Sequence, residues 1–191
     1  MIRAVRRRLS RVGRRALQGV YGFDAWHVGH GNEPYVADIA RYLNRRPESG
    51  RQSVVEIGCG LGDILRPLRF QERLGLDWEP SVVRAARARC RLQNGLRFDV
   101  FEFPSSHLYG EHDAIVMVNW IHAIAPAVLE DALHLFARDH LRPGGCLVID
   151  TVADPAYTYN HDVRALAPPE VTIERIGAYP RGREVWALVV L

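Results

Sequence analysis

A carboxylate followed at fixed spacing by three alternate glycines is the part of this chain best suited to chemistry: Glu56, then Gly58, Gly60 and Gly62, with Cys59 inside the run. Glycine is needed where a backbone turns sharply and a ligand must approach with no Cβ in the way. A strand that ends in such a turn and passes into the next segment binds nucleotide-like ligands at its carboxyl end. Glu56 narrows the ligand. A carboxylate at that position would repel a pyrophosphate but suits a molecule that carries an ammonium group. Further along lie other groups able to bind or move protons: Asp77, Glu102, Asn119, His122 and the pair His161-Asp162.

The elements that must position these residues can be read from hydrophobic periodicity. Val54, Val55 and Ile57 form a short apolar run suited to a strand buried on both faces. Ile64 to Phe70 reads as a short helix, with Pro67 tolerable only in its first turns. Pro80 to Gln93 reads as a helix opened by proline and closed by Asn94-Gly95, with Val82, Val83, Ala86 and Cys90 inward and Arg84, Arg87 and Arg91 on a solvated face. In the following strand Leu96, Phe98 and Val100 alternate inward, which turns Asp99 out and leaves Glu102 just past the end. Ala114 to Val118 is a near-continuous apolar strand. Pro126 to His140 is a helix with Val128, Leu129, Ala132, Leu133 and Phe136 facing the core and His134 and His140 on the surface. A strand over 146–152 leads into a polar and aromatic excursion, Asp154 to Pro169. Val171–Ala178 and Glu184–Val190 then form a hairpin whose second arm is apolar throughout and belongs inside the sheet.

In that order, the motifs resemble those of the class I S-adenosylmethionine-dependent methyltransferases. The family's first motif is Glu or Asp, any residue, then Gly-x-Gly-x-Gly, as at Glu56–Gly62. Gly75-Leu76-Asp77-Trp78 is similar to the second strand, whose terminal acid holds ribose hydroxyls. Phe98–Phe103, His112–Asn119 and Leu141–Asp150 resemble the third, fourth and fifth strands. The resemblance implies a Rossmann-like α/β fold: a seven-stranded, mostly parallel sheet with a reversed seventh strand and helices on both faces. It also implies S-adenosylmethionine as cofactor, held by Glu56, Gly58, Cys59, Gly60, Gly62, Asp77, Trp78, Glu102, Phe103 and Asn119. The segment before the first strand, residues 21–50, resembles the family's lid over the cofactor within a single domain spanning 21–191.

The acceptor is expected just past the fourth strand. Methyl transfer needs acceptor and methyl held in line, which can supply most of the catalysis. A hydroxyl acceptor also gains from a base within hydrogen-bond reach. His122 is the first candidate and His161, oriented by Asp162, the second; either would titrate near the ordinary histidine value of about 6.5. Tyr21, Trp26 and Tyr159 either shape an acceptor pocket or belong to the core. Asn119 is followed by Trp120 and not by Pro-Pro-aromatic, which disfavours methylation of DNA bases. Asn119 in place of aspartate also weakens a metal-dependent catechol-type reading. Tyr21–His27, Ile149–Val152 and Tyr159–Asp162 are similar to small bacterial methyltransferases of cell-surface polysaccharide assembly, which points to a sugar hydroxyl. A nicotinamide oxidoreductase is disfavoured by Glu56 and by the glycine spacing. A binding protein without turnover is the remaining alternative.

Composition sets the outer bounds. The 191 residues suit one domain with a sizeable core. Three cysteines without paired spacing, Cys59, Cys90 and Cys146, read as small buried side chains in a reducing, cytoplasmic compartment. Residues 1–20 hold seven arginines and no acid, within a net charge of +3, so the rest of the chain is acidic on balance and argues against a nucleic-acid groove. That leader reads either as a frayed terminus or as a basic amphipathic helix at an anionic membrane surface. Few of its residues are apolar, so removal of residues 1–15 is expected to leave the fold intact. His27 and His30 lie in a glycine-rich loop without a third ligand, so no metal is expected.

Overall fold

The computed structural model describes residues 2–29 and 33–191, of residues 2–11 the backbone alone. His30 lies outside the described residues. The strands are β1 Ser53–Ile57, β2 Glu72–Asp77, β3 Leu96–Val100, β4 His112–Met117, β5 Leu141–Thr151, β6 Val171–Tyr179 and β7 Arg183–Val190. They form one sheet in the order β3-β2-β1-β4-β5-β7-β6. β1 to β5 pair in parallel, and β7 runs antiparallel between β5 and β6. The reversed strand therefore sits inside the sheet, as its unbroken apolar run requires. Parallel pairing sends the carboxyl ends of β1, β2, β4 and β5 to one edge. Glu56, Asp77, Asn119 and Asp150 all gather there.

The helices are α1 Ile2–Tyr21, α2 Trp26–Gly29, α3 Pro34–Asn44, α4 Pro80–Cys90, α5 Pro126–Asp139 and α6 Val163–Leu166. Two apolar layers cover the sheet. α3 and α4 bury Ile39, Leu43, Val83, Ala86 and Cys90 against one face. α5 and α6 bury Leu129, Leu133, Phe136, Val163 and Leu166 against the other. A third cluster seats Phe23 and Val28 on Leu61, Val82 and Ala85, with Leu17 and Tyr21 packed on its margin. The basic leader is thus the helix α1, docked on α2 and α4 and not frayed over its described length. No helix among the described residues is long and apolar enough to cross a membrane.

Several local expectations are corrected. Residues 64–67 form turns and 68–70 are irregular, in place of a helix. Arg66 N–H still reaches the Gly62 carbonyl at 3.1 Å, but Pro67 has no N–H to continue the ladder. α4 ends at Cys90 and not at Gln93. β3 is the sheet's edge strand and stops at Val100, which pairs with Asp77 of β2 and is 50% exposed. Val128, in the first turn of α5, is 39% exposed. His140 is buried, with its Nδ1 3.0 Å from the Gly110 carbonyl and its ring edge-on to Phe136. Arg87 does more than face solvent: its Nε and Nη2 donate to the Phe98 carbonyl at 2.9 and 2.7 Å and tie α4 to β3.

Candidate active site

The glycine turn is built by close packing as much as for a ligand. Gly58, Gly60 and Gly62 have φ of +76°, +51° and +74°, a region in which side chains are strained. A Cβ on Gly58 would collide with the Trp120 indole, and one on Gly62 would lie 2.7 Å from Phe98. The Gly58 and Cys59 N–H groups donate to the Leu76 carbonyl at 2.8 and 2.9 Å. Gly60 N–H donates to Asp77 Oδ2 at 2.9 Å, and Asp77 Oδ1 accepts from Glu79 N–H at 3.1 Å. Asp77 therefore fixes the turn while standing at the end of β2. Its pKa is raised by burial, against the lowering effect of those two N–H bonds.

Glu56 is only 3% exposed. Its carboxyl receives a hydrogen bond from the Leu65 backbone, and Oε2 has no partner among the described residues. Burial, then the nearby Asp63 and Asp77, push its pKa well above the ordinary glutamate value. Beside it stands a residue that nothing in its local sequence marks: Arg14 of α1, 2% exposed, whose Nη2 donates to Asp63 Oδ1 at 2.7 Å and Nη1 to the His27 carbonyl at 3.2 Å. Arg89 completes the clasp, donating to Asp63 at 2.9 Å and to the Leu61 carbonyl at 2.7 Å. Glu56, Arg14 and Asp63 line a small crevice of about 60 Å³ that shares Gly58, Trp26, His27 and Asn119 with a larger cleft of about 830 Å³.

One side of the larger cleft is made by Asp77, Trp78, Glu79, Glu102 and Phe103, and the other by Trp120, His122, Ile124, Tyr157 and Thr158. Trp78 stands on the rim, 72% exposed. Trp120 is locked between the halves: its Nε1 donates to the Ile57 carbonyl at 2.7 Å, and its ring meets Phe103 edge-on at 5.2 Å. His27, from α2, faces Glu79 at 3.6 Å across the glycine turn.

Beneath the acceptor side lies a buried polar cluster. Asp150, at the end of β5, is 0% exposed. Its Oδ1 accepts from Asn119 N–H at 2.8 Å, and Oδ2 meets His122 Nε2 at 3.3 Å and forms an ion pair with Arg183. Asn119 sits in the left-handed region at φ +73°. Arg183 also donates to the Tyr157 hydroxyl at 3.1 Å. Burial, and then the Arg183 charge, push the His122 pKa down to about 4.

The structure brings together Glu56, Gly58, Cys59, Gly60, Asp77, Trp78, Glu102, Phe103, Asn119 and His122 around the crevice and cleft. Gly62 is set back and serves Phe98 packing. His161 does not line the cleft; its Nε2 donates to the Ile121 carbonyl at 3.0 Å. Its pairing with Asp162 is not formed, because Asp162 Oδ1 caps α6 through the Arg164 N–H at 2.9 Å. Trp26 lines the cleft, Tyr21 packs beside Phe23 and Val28, and Tyr159 stacks on His161. Among the described residues no three side chains of metal-ligating type cluster. Asp150 could have been found, since like Glu56 and Asp77 it is an acid closing an apolar strand. Arg14 and Arg183 carried no local signal.

This arrangement matches known proteins. Residues 55–147 fit the family model for the methyltransferase domain. The biotin biosynthesis bifunctional protein of Bordetella avium is 34% identical over 157 residues, 76% of this chain. The chain spans 30% of that protein's length. Magnesium protoporphyrin IX methyltransferase from Synechocystis PCC 6803, solved with bound S-adenosylmethionine, superposes with a TM-score of 0.69 at 14% identity, covering 99% of this chain and 97% of that one. An amino pentose methyltransferase of calicheamicin biosynthesis from Micromonospora echinaspora, also with the methyl donor bound, gives 0.62 at 16% identity over 90% and 94% of the two chains. Residues 55–147 of this chain match the methyltransferase-domain family model, and the chain shares its fold with these S-adenosylmethionine-binding methyltransferases.

Proposed function

We propose that the protein is an S-adenosylmethionine-dependent methyltransferase acting on a small-molecule or glycan acceptor, and that the methylated group is a sugar hydroxyl. The observation that carries the reading is Glu56 Oε2, a buried carboxyl oxygen at the mouth of a glycine turn with no partner among the described residues. Burying such a group is costly unless something pairs with it, and the ammonium of the methyl donor is a fitting counter-charge. Arg14 borders the same crevice and suits the donor's carboxylate. Asp77 suits the ribose hydroxyls, and Trp78, Glu102 and Phe103 the adenine.

The bound donor supplies a methyl group on a sulfonium for in-line displacement. The chain's part is to hold the acceptor oxygen in line, exclude water and take the proton. Trp120, Phe103 and Tyr157 offer flat apolar surfaces for the C–H face of a sugar, and His122 is the proton acceptor. Its imidazole is neutral at physiological pH, with a free electron pair for the departing hydroxyl proton. An ammonium acceptor fits less well, since Arg183 lies behind His122 and the carboxylate of Asp150 is already paired. The three buried, unpaired cysteines support a cytoplasmic location, and the basic α1 would supply any contact with an anionic membrane surface.

Calorimetry with S-adenosylmethionine, its demethylated product and NAD tests the cofactor. Binding of the first two and not the third is expected; tight NAD binding with no response to the others overturns the assignment. Methyl-labelled donor offered to sugars, lipids, small molecules and proteins then identifies the acceptor class. His122→Ala should lower turnover roughly 10²-fold or more with little change in donor affinity. If His161→Ala abolishes turnover and His122→Ala does not, the proton acceptor has been misassigned.

A further inference from the structure

Resting on the reading of His122 as proton acceptor, we infer that Asp150, held by Arg183 and the Asn119 N–H, is a positioning residue that fixes which nitrogen of His122 faces the acceptor. Asp150 has no exposure to solvent, so an ionised carboxylate there must be compensated from within. Three groups do so: Arg183 by its charge in an ion pair, Asn119 through its backbone N–H at 2.8 Å, and His122 through Nε2 at 3.3 Å. An ionised carboxylate only accepts. The His122 proton must therefore sit on Nε2, which leaves the lone pair on Nδ1.

That Nδ1 is buried and has no partner among the described residues, and it belongs to a residue that is 2% exposed yet lines the large cleft. A buried imidazole nitrogen without a partner is costly, and a hydroxyl donating into the cleft satisfies it. The reaction balances accordingly. The acceptor O–H proton passes to Nδ1, its electron pair forms the new carbon–oxygen bond, and the carbon–sulfur pair leaves with the donor. Asp150 then stabilises the imidazolium without taking a proton itself. Its second oxygen holds Asn119 in the left-handed conformation next to the glycine turn, so one side chain aligns both the proton acceptor and the cofactor wall. Tyr157 supports the ion pair from above, through Arg183 and by edge contact with the His122 ring at 4.8 Å.

The test needs no known acceptor. In protein labelled with ¹⁵N-histidine, long-range proton–nitrogen spectra report which ring nitrogen carries the proton, with His122→Gln supplying the assignment. The wild type should show His122 protonated on Nε2 with a bias of roughly 10-fold or more, the size set by one hydrogen bond to a charged group. Asp150→Asn presents an amide N–H to Nε2 and should move the proton to Nδ1. His161 is the internal control: its Nε2 bonds a carbonyl in both proteins and should not respond. A wild-type His122 protonated on Nδ1 overturns the inference outright, even if Asp150→Asn does not fold. So does a folded Asp150→Asn whose His122 keeps its proton on Nε2. Failure to bind the methyl donor in calorimetry would sink the proposed function and leave this result standing.

Discussion

Replacing Glu56 by glutamine separates what the carboxylate costs the fold from what it contributes to binding. The two side chains are nearly isosteric, so packing on Leu65 and the glycine turn should survive. Burial and the neighbouring Asp63 and Asp77 raise the folded pKa of Glu56 well above its ordinary value. The sign follows from linkage. Below about pH 4.5 the group is protonated in folded and unfolded chains alike and costs nothing. As pH rises the unfolded chain releases its proton first, so the folded state loses stability until the folded pKa is passed. Glu56→Gln removes that loss. The ligand-free variant should therefore melt at a higher temperature than the wild type at neutral pH, with the gap closing near pH 4. Binding should move the other way. One hydrogen bond between charged groups is worth about 1.5–3 kcal/mol, so the dissociation constant for the demethylated product should rise roughly 10- to 150-fold. Paired thermal-denaturation and calorimetry experiments read both effects. A variant that is less stable at neutral pH, or one that binds as tightly as the wild type, refutes the account of Glu56 as a desolvated counter-charge awaiting an ammonium.

Removal of residues 1–10 should leave the melting temperature unchanged, whereas Arg14→Ala should cost about 2 kcal/mol. That lies below the roughly 3–5 kcal/mol of a buried pair broken to a bare charge, because Arg89 stays on Asp63; an unchanged melting temperature in Arg14→Ala would show that the clasp is not stabilising. His122 is faced by Asp150, Arg183, Tyr157 and His161, and its pKa of about 4 moves the expected acid limb of turnover from near 6.5 down to about pH 4. The rate should be flat from pH 7 to 5. The same depression costs about 3 kcal/mol of stability as pH falls from 6.5 to 4, since the unfolded chain takes the proton first. A turnover midpoint near 6.5 would mean that His122 is either solvated or not the group being titrated.

The sequence alone determined the order of the strands, the reversed strand inside the sheet and which acids stand beside the glycine turn. These are local properties. An apolar run of strand length must be buried on both faces, and an acid before three alternate glycines must stand at a strand end beside a sharp turn. Glu56 and Asp77 could be placed because each stands at the end of a strand whose register its own neighbours fix, and Glu102 because it follows the last residue of β3 by two positions. Tertiary structure alone decided the rest. Arg14 lies far along the chain from Asp63 and looks like any other arginine of a basic leader until α1 docks on α4. Arg183 reaches Asp150 only because β7 runs antiparallel beside β5, and burial, then the Arg183 charge, lowers the His122 pKa. His161 stands next to Asp162 in sequence but not in chemistry, since the backbone of α6 claims the carboxylate first. Adjacency in the chain fixes which groups are available, while burial and long-range pairing fix which of them stay charged and which nitrogen keeps its lone pair.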